Sequence, residues 1–165
     1  MSEYCVVVAD GAKARFLTLE PAQVPEVESS PRLVERGDLV NPEKELPDRE
    51  LYSDPKAGRN RSPLGGPAHG YDDHRAHHND EYERRFAKQV ASRAVQCAQE
   101  HNTRYVVIAA QPRMLGFLRK EIDILLKNGM EVREVAKDVT WQTPTKIHEI
   151  LAREEAIPPS RPPRA

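Results

Sequence analysis

Two short apolar runs decide the architecture. Cys5-Val6-Val7-Val8-Ala9 and Tyr105-Val106-Val107-Ile108-Ala109-Ala110 are nearly continuous and rich in β-branched residues. Runs of this length without alternation suit strands covered on both faces. Such strands need helices above and below the sheet, so an α/β domain is expected. A single domain over residues 1–157 accommodates this within a chain of 165 residues.

The segments between and around these runs fill in the order. Asp10-Gly11 marks a tight turn, because Gly accepts positive φ and Asp tolerates it. Lys13 to Leu19 then alternates, with Ala14, Phe16 and Thr18 on one side and Arg15, Leu17 and Leu19 on the other. The two strands make a hairpin. A third strand is expected at Arg32 to Val40. Tyr82, Phe86, Val90, Ala94 and Cys97 recur at helical spacing. Asp80 and Glu83 have capping-box spacing, which predicts that this helix starts at Asp80. A second helix after Pro112 turns Met114, Leu115, Leu118, Ile122, Leu125 and Leu126 inward and stops at Asn128-Gly129. Met130 to Lys137 reads as the last strand. Thr143-Pro144 opens a final helix with Ile147, Ile150 and Leu151 inward. The expected product is a mixed five-stranded sheet. An antiparallel hairpin and third strand are extended by parallel strands through right-handed crossovers, with helices on both faces.

Two stretches lack core residues. Residues 41–80 hold only eight apolar side chains, among five prolines and four glycines, and read as a long flexible insertion over 41–79. Residues 158–165, Pro-Pro-Ser-Arg-Pro-Pro-Arg-Ala, read as a disordered tail.

Composition excludes several classes. The 25 Lys and Arg against 26 Asp and Glu give a net charge of −1, which argues against a broad nucleic-acid coat but not against a local basic patch. No apolar stretch approaches the ~18 residues of a membrane span. The first apolar run has no basic lead and no cleavage pattern, and the only cysteines are Cys5 and Cys97. A cytoplasmic chain without a disulfide scaffold is expected. Both cysteines lie on apolar stripes and read as small buried hydrophobes. No Ser-His-Asp motif, phosphate-binding loop or dinucleotide fingerprint is present.

Three ordered motifs resemble one family. Val7-Val8-Ala9-Asp10-Gly11-Ala12-Lys13-Ala14-Arg15 looks like the hairpin signature that opens the bacterial host attachment proteins, described as required for attachment to host cells. Ala109 to Arg119, with Gln111-Pro112-Arg113 at its centre, resembles the second signature. Lys137-Asp138-Val139-Thr140 before a helix resembles the third. The resemblance covers roughly residues 3–152. That family is similar to the middle domain of archaeal and eukaryotic class-one peptide release factors and of Pelota, which implies a ribonuclease H-like sheet. In release factors a Gly-Gly-Gln tripeptide before the long helix helps water attack the peptidyl-tRNA ester. Gly65-Gly66 occupies the comparable place here, but Pro67 follows. Proline offers neither a side-chain amide nor an N–H to orient water. The resemblance therefore implies a non-enzymatic, Pelota-like module that contacts RNA or the ribosome.

Several residue groups are candidate sites. Lys56, Arg59 and Arg61 precede Gly65-Gly66, and Arg84, Arg85 and Lys88 lie on the following helix. Together they could track phosphates, or simply keep a loop and helix face solvated. His74, His77, His78 and Asp73 are good ligands for zinc and similar metals, although their spacing matches no standard signature. No cofactor is expected, with a divalent metal, and hence a metal-dependent hydrolase, as the alternative. Gln111, Arg113, Lys137 and Asp138 would meet in a small polar cleft beyond the parallel strands. Asp10 and Asp138 are too few for two-metal nuclease chemistry and suit turn and loop roles better. A protein partner at the cell envelope or host surface is the remaining reading.

Overall fold

A computed structural model describes residues 2–43, 66–127 and 129–163, with backbone only over 66–79 and at 124 and 126. In chain order the elements are β1 (Tyr4–Ala9), β2 (Lys13–Glu20), β3 (Arg32–Val40), α1 (Gly66–Glu100), β4 (Tyr105–Ala110), α2 (Pro112–Lys127), β5 (Glu131–Val135) and α3 (Pro144–Arg153). The sheet order is β3-β2-β1-β4-β5. β1 pairs antiparallel with β2, and β2 with β3, while β1, β4 and β5 run parallel. This is the mixed five-stranded α/β sheet that the runs dictate.

The two central strands are covered on both sides, as their unbroken apolarity requires. Val7, Phe16, Ile108 and their face neighbours pack on Phe86, Val90 and Ala94 of α1 and on Met114, Leu115 and Leu118 of α2. Val6, Val8, Leu17, Val107 and Ala109 pack on Ile147 and Leu151 of α3. The alternation of β2 thus divides between two layers. The β2–β3 register shifts between Phe16 and Leu17, where a bulge interrupts the ladder. Gly129, just past α2, sits at φ 79°, a conformation that L side chains resist and glycine accepts. Thr143 caps α3 by accepting the Lys146 N–H, and Pro144 occupies the first turn, where its missing N–H costs nothing.

Two expectations change. The long helix starts at Gly66, not Asp80, so Asp80 and Glu83 lie inside it and do not mark its start. Residues 66–79 carry no apolar stripe, and hydrophobic periodicity is blind to a helix that lacks one. The described part of the 158–165 tail is paired with the body of the domain. Ser30 and Arg161 exchange backbone hydrogen bonds of 3.0 and 2.9 Å, and His148 Nε2 lies 2.8 Å from the Pro158 carbonyl. These backbone pairings and one buried histidine hold a segment with no core side chains. Residues 44–65, most of the supposed insertion, lie outside the described residues.

The two cysteines meet in the layer between β1 and α1. A hydrogen bond from Cys5 and the nearby His101, whose Nδ1 is 3.8 Å from Cys97 Sγ, pull the Cys97 thiol down to about 6 from its ordinary 9.0. The same sulfur contact and burial push Cys5 well above that ordinary value. Between about pH 6 and 9.0 the unfolded chain therefore binds a proton on Cys97 that the folded chain lacks, so stability rises with pH across that window. Above it Cys5 reverses the trend, because it stays protonated only in the fold. Urea midpoints measured through this range should rise for the native chain, and Cys97→Ser should abolish the rise.

Candidate functional site

The carboxyl ends of β1, β4 and β5 lie along one edge of the sheet, where ligands tend to bind in open α/β folds. The Asp10-Gly11 turn stands at this edge. Asp10 Oδ1 accepts the N–H groups of Ala12 and Lys13 at 2.8 and 2.7 Å, which fixes the turn. Its other oxygen, Oδ2, accepts the indole N–H of Trp141 at 2.8 Å from 131 residues away. Lys13 Nζ stands 5.2 Å from the centre of the same indole, within cation–π range, and reaches Asp38 at 3.7 Å.

Trp141 is the only tryptophan and is 68% exposed. An exposed indole normally swings freely, and this one is tethered by its N–H and flanked by a cation. Its loop is held from below by Arg15. That guanidinium donates to the carbonyls of Thr140 and Gln142 at 2.8 and 2.5 Å, and grips Glu35 with two further bonds at 2.9 and 2.6 Å. Arg15 in turn holds the Glu35 carboxyl below its usual range. Thr140 Oγ1 is the buried side-chain oxygen without a partner among the described residues.

The expected cleft forms in part. Gln111 Nε2 reaches Asp138 Oδ2 at 3.4 Å, and Asp138 Oδ1 accepts the Thr140 N–H at 3.1 Å. Arg113 turns instead to α1, where it pairs with Asp80 and, at 3.1 Å, with Glu83. Lys137 pairs with Glu154 after α3. Both cations pair with carboxylates other than Asp138. On α1, Arg84 lies over the Phe117 ring at 5.3 Å, Arg85 pairs with Glu43 and Glu81, and Lys88 is exposed. Gly66 is the first residue of α1. Lys56, Arg59, Arg61 and Gly65 lie outside the described residues, as do the side chains of Asp73, His74, His77 and His78. Among the described residues no group of three His, Cys, Asp or Glu could hold a metal ion, and no helix is long and apolar enough to cross a membrane.

Segments far apart in sequence thus converge on one edge: the turn at Asp10, the end of β4 at Gln111 and the loop at Asp138–Trp141. These are the places where the three motifs sit. A family model described as protein required for attachment to host cells matches residues 5–151. The chain belongs to that host-attachment family. No curated protein matches it. Within this attachment-family chain, sequence reasoning missed Trp141 and assigned Asp10 only to its turn. The available signal was a lone tryptophan in a short polar loop between a strand and a helix, where no core position calls for it.

Proposed function

We propose that this attachment-family chain is a non-catalytic interaction module that docks a protein partner on the rim centred at Trp141. The observation that carries the reading is an exposed indole tethered by Asp10 and flanked by Lys13. Tryptophans held in place lose little freedom on binding and are enriched where interfaces concentrate their energy. The rim carboxylates support a binding role over catalysis. Asp10 accepts three N–H groups and Asp138 accepts two, so both act as structural acceptors. The rim cations are already paired, Lys13 with Asp38 and Arg113 with Asp80 and Glu83, which favours a protein over a polyanion.

Contact with RNA or the ribosome through Lys56, Arg59, Arg61, Gly65, Gly66 and the basic side of α1 is the second reading. It rests on the release-factor likeness. Its support is that α1 begins at Gly66, the second glycine of the pair, at the tip of the long helix. The fourteen residues before Asp80 would add ~21 Å of helix at the edge where the Trp141 rim lies.

A photo-crosslinking residue at exposed Gln142 in living cells separates the two. The expected result is a discrete protein adduct whose yield falls by about tenfold in Trp141→Ala, as for an interface anchor. Adducts made mainly with RNA would transfer the assignment to the second reading. Adducts indifferent to Trp141→Ala would overturn the rim as the docking site.

A further inference from the structure

Twelve arginines have described side chains. Six hold a carboxylate, two lie over aromatic rings, and Arg93 reaches Gln96. The remaining three, Arg32, Arg153 and Arg161, have no side-chain partner among the described residues. Arg32 and Arg153 border one groove, and Arg161 borders a recess beside it. Arg32 opens β3 at the end opposite the Asp10 turn, since Lys13 pairs with Val40 and Glu20 with Arg32.

The groove lies between the start of β3, the face of α3 from Thr145 to Arg153 and the 158–162 segment. Its main cavity is about 880 Å³, with Arg32, Leu33, His148, Ala152, Arg153 and Ser160 among its walls. A recess of about 510 Å³ bordered by Arg161 adjoins it and shares Glu28, Pro159 and Pro162. Two carboxylates also face the space. Glu149 is matched by Lys146 at 3.4 Å, and Glu28 accepts the Val24 N–H at 3.4 Å. The local balance is therefore positive.

The walls are fixed before anything binds. The paired Ser30 and Arg161 backbones close one side, Ser30 Oγ accepts the Ala22 N–H at 3.0 Å, and buried His148 ties the Pro158 carbonyl. Helix polarity accounts for one of the free cations, because Arg153 ends α3, where the carbonyl ends favour positive charge. It does not account for Arg32 or Arg161. Like charges gathered around a prebuilt concavity repel one another unless an anion enters between them. Guanidinium forks match the oxygens of phosphate, and more than one arginine suits a doubly charged group. Leu33, Ala152 and the prolines leave apolar wall for an organic body.

We propose that this groove is a binding site for a phosphate monoester. The ester could be a small phosphorylated metabolite or a phosphorylated side chain of a polypeptide, and the same guanidinium chemistry serves both. The site is independent of the Trp141 rim, since the two share no residue.

Amide NMR titrations of the full chain test it, with phenyl phosphate, inorganic phosphate and a phosphoserine peptide as separate probes. Saturable shifts are expected at Arg32, Leu33, Ala152 and Ser160, weakening with added salt. Arg32→Gln with Arg153→Gln should weaken binding by about tenfold or more, and the rest of the spectrum should overlay that of the native chain. Tighter binding of the peptide assigns the polypeptide source, and equal or tighter binding of phenyl phosphate assigns the small ester. Shifts that do not saturate, shifts scattered over the surface, or unchanged affinity in the double variant would overturn the proposal. The Gln142 crosslink should be unaffected by these substitutions, which keeps the two sites separable.

Discussion

Arg15→Ala will destabilise the fold by ~3 kcal/mol, because it leaves a buried and a part-buried carbonyl without donors, at ~1–3 kcal/mol for a buried group and less for the other. The side chain is 10% exposed and makes four bonds, two to carbonyls more than 120 residues away. Truncation strands the Thr140 and Gln142 carbonyls. Glu35 is more exposed and recovers part of its loss from water. Arg15→Lys should restore little, because a point charge cannot reproduce the planar fork that spans a carboxylate and two carbonyls. Chemical denaturation measures the loss. Trp141 is a built-in reporter, being the sole tryptophan on the loop that Arg15 holds. Its fluorescence should change in Arg15→Ala at denaturant concentrations below the unfolding transition. A loss under 1 kcal/mol, or an unchanged indole signal, would mean that the loop does not depend on this guanidinium.

The same contact sets an acid dependence with a definite sign. Arg15, by hydrogen bonding and charge, lowers the Glu35 carboxyl below its ordinary 4.5. A depressed carboxyl stabilises the fold above its ordinary value, and that contribution disappears as pH falls through the lowered one. The native chain should therefore lose stability on acidification in a way that Arg15→Ala does not. Comparing the two chains at neutral and acid pH isolates the pair from the other carboxylates.

What could be read from the residues follows from which signals are local. The runs at Cys5–Ala9 and Tyr105–Ala110 are local, and burial on both faces can be inferred from them without any partner in view. The stripe from Phe86 to Ala98 and the cap at Thr143-Pro144 are local too. Arg15 is the opposite case. In an alternating strand it shares a side with Leu17 and Leu19, where nothing nearby in sequence offers it a partner, and only a loop 125 residues later turns it into a buried tie. Asp80 and Glu83 mimic a helix start perfectly well in sequence, yet both answer to Arg113 on another helix. The tail escaped notice because its anchors are backbone groups and one histidine, and neither leaves a compositional mark. The Trp141 rim was hidden for the same reason, since its parts are scattered and only the parallel order of β1, β4 and β5 gathers them.

Phe86→Ala will cost ~3–5 kcal/mol, the usual range for a buried aromatic truncated in a packed layer. Phe86 is 1% exposed and is the first buried apolar residue among the described side chains of α1, so it starts the buried contact between the long helix and the sheet. Its neighbours in the layer include Phe16 of β2 and Met114 and Leu115 of α2, which belong to elements too well packed to close the cavity. Phe86→Leu should recover most of the loss by refilling volume. Arg84→Ala two residues earlier is the control. Its guanidinium lies over Phe117 at 5.3 Å on an exposed surface, a contact of ~0.5–1 kcal/mol. Denaturant midpoints should therefore separate Phe86→Ala from Arg84→Ala by several-fold in effect, with the slope of the transition unchanged. Equal, small effects for both would mean that α1 is not seated on the sheet through this residue, and the position of everything N-terminal to it, Gly66 included, would have to be revised.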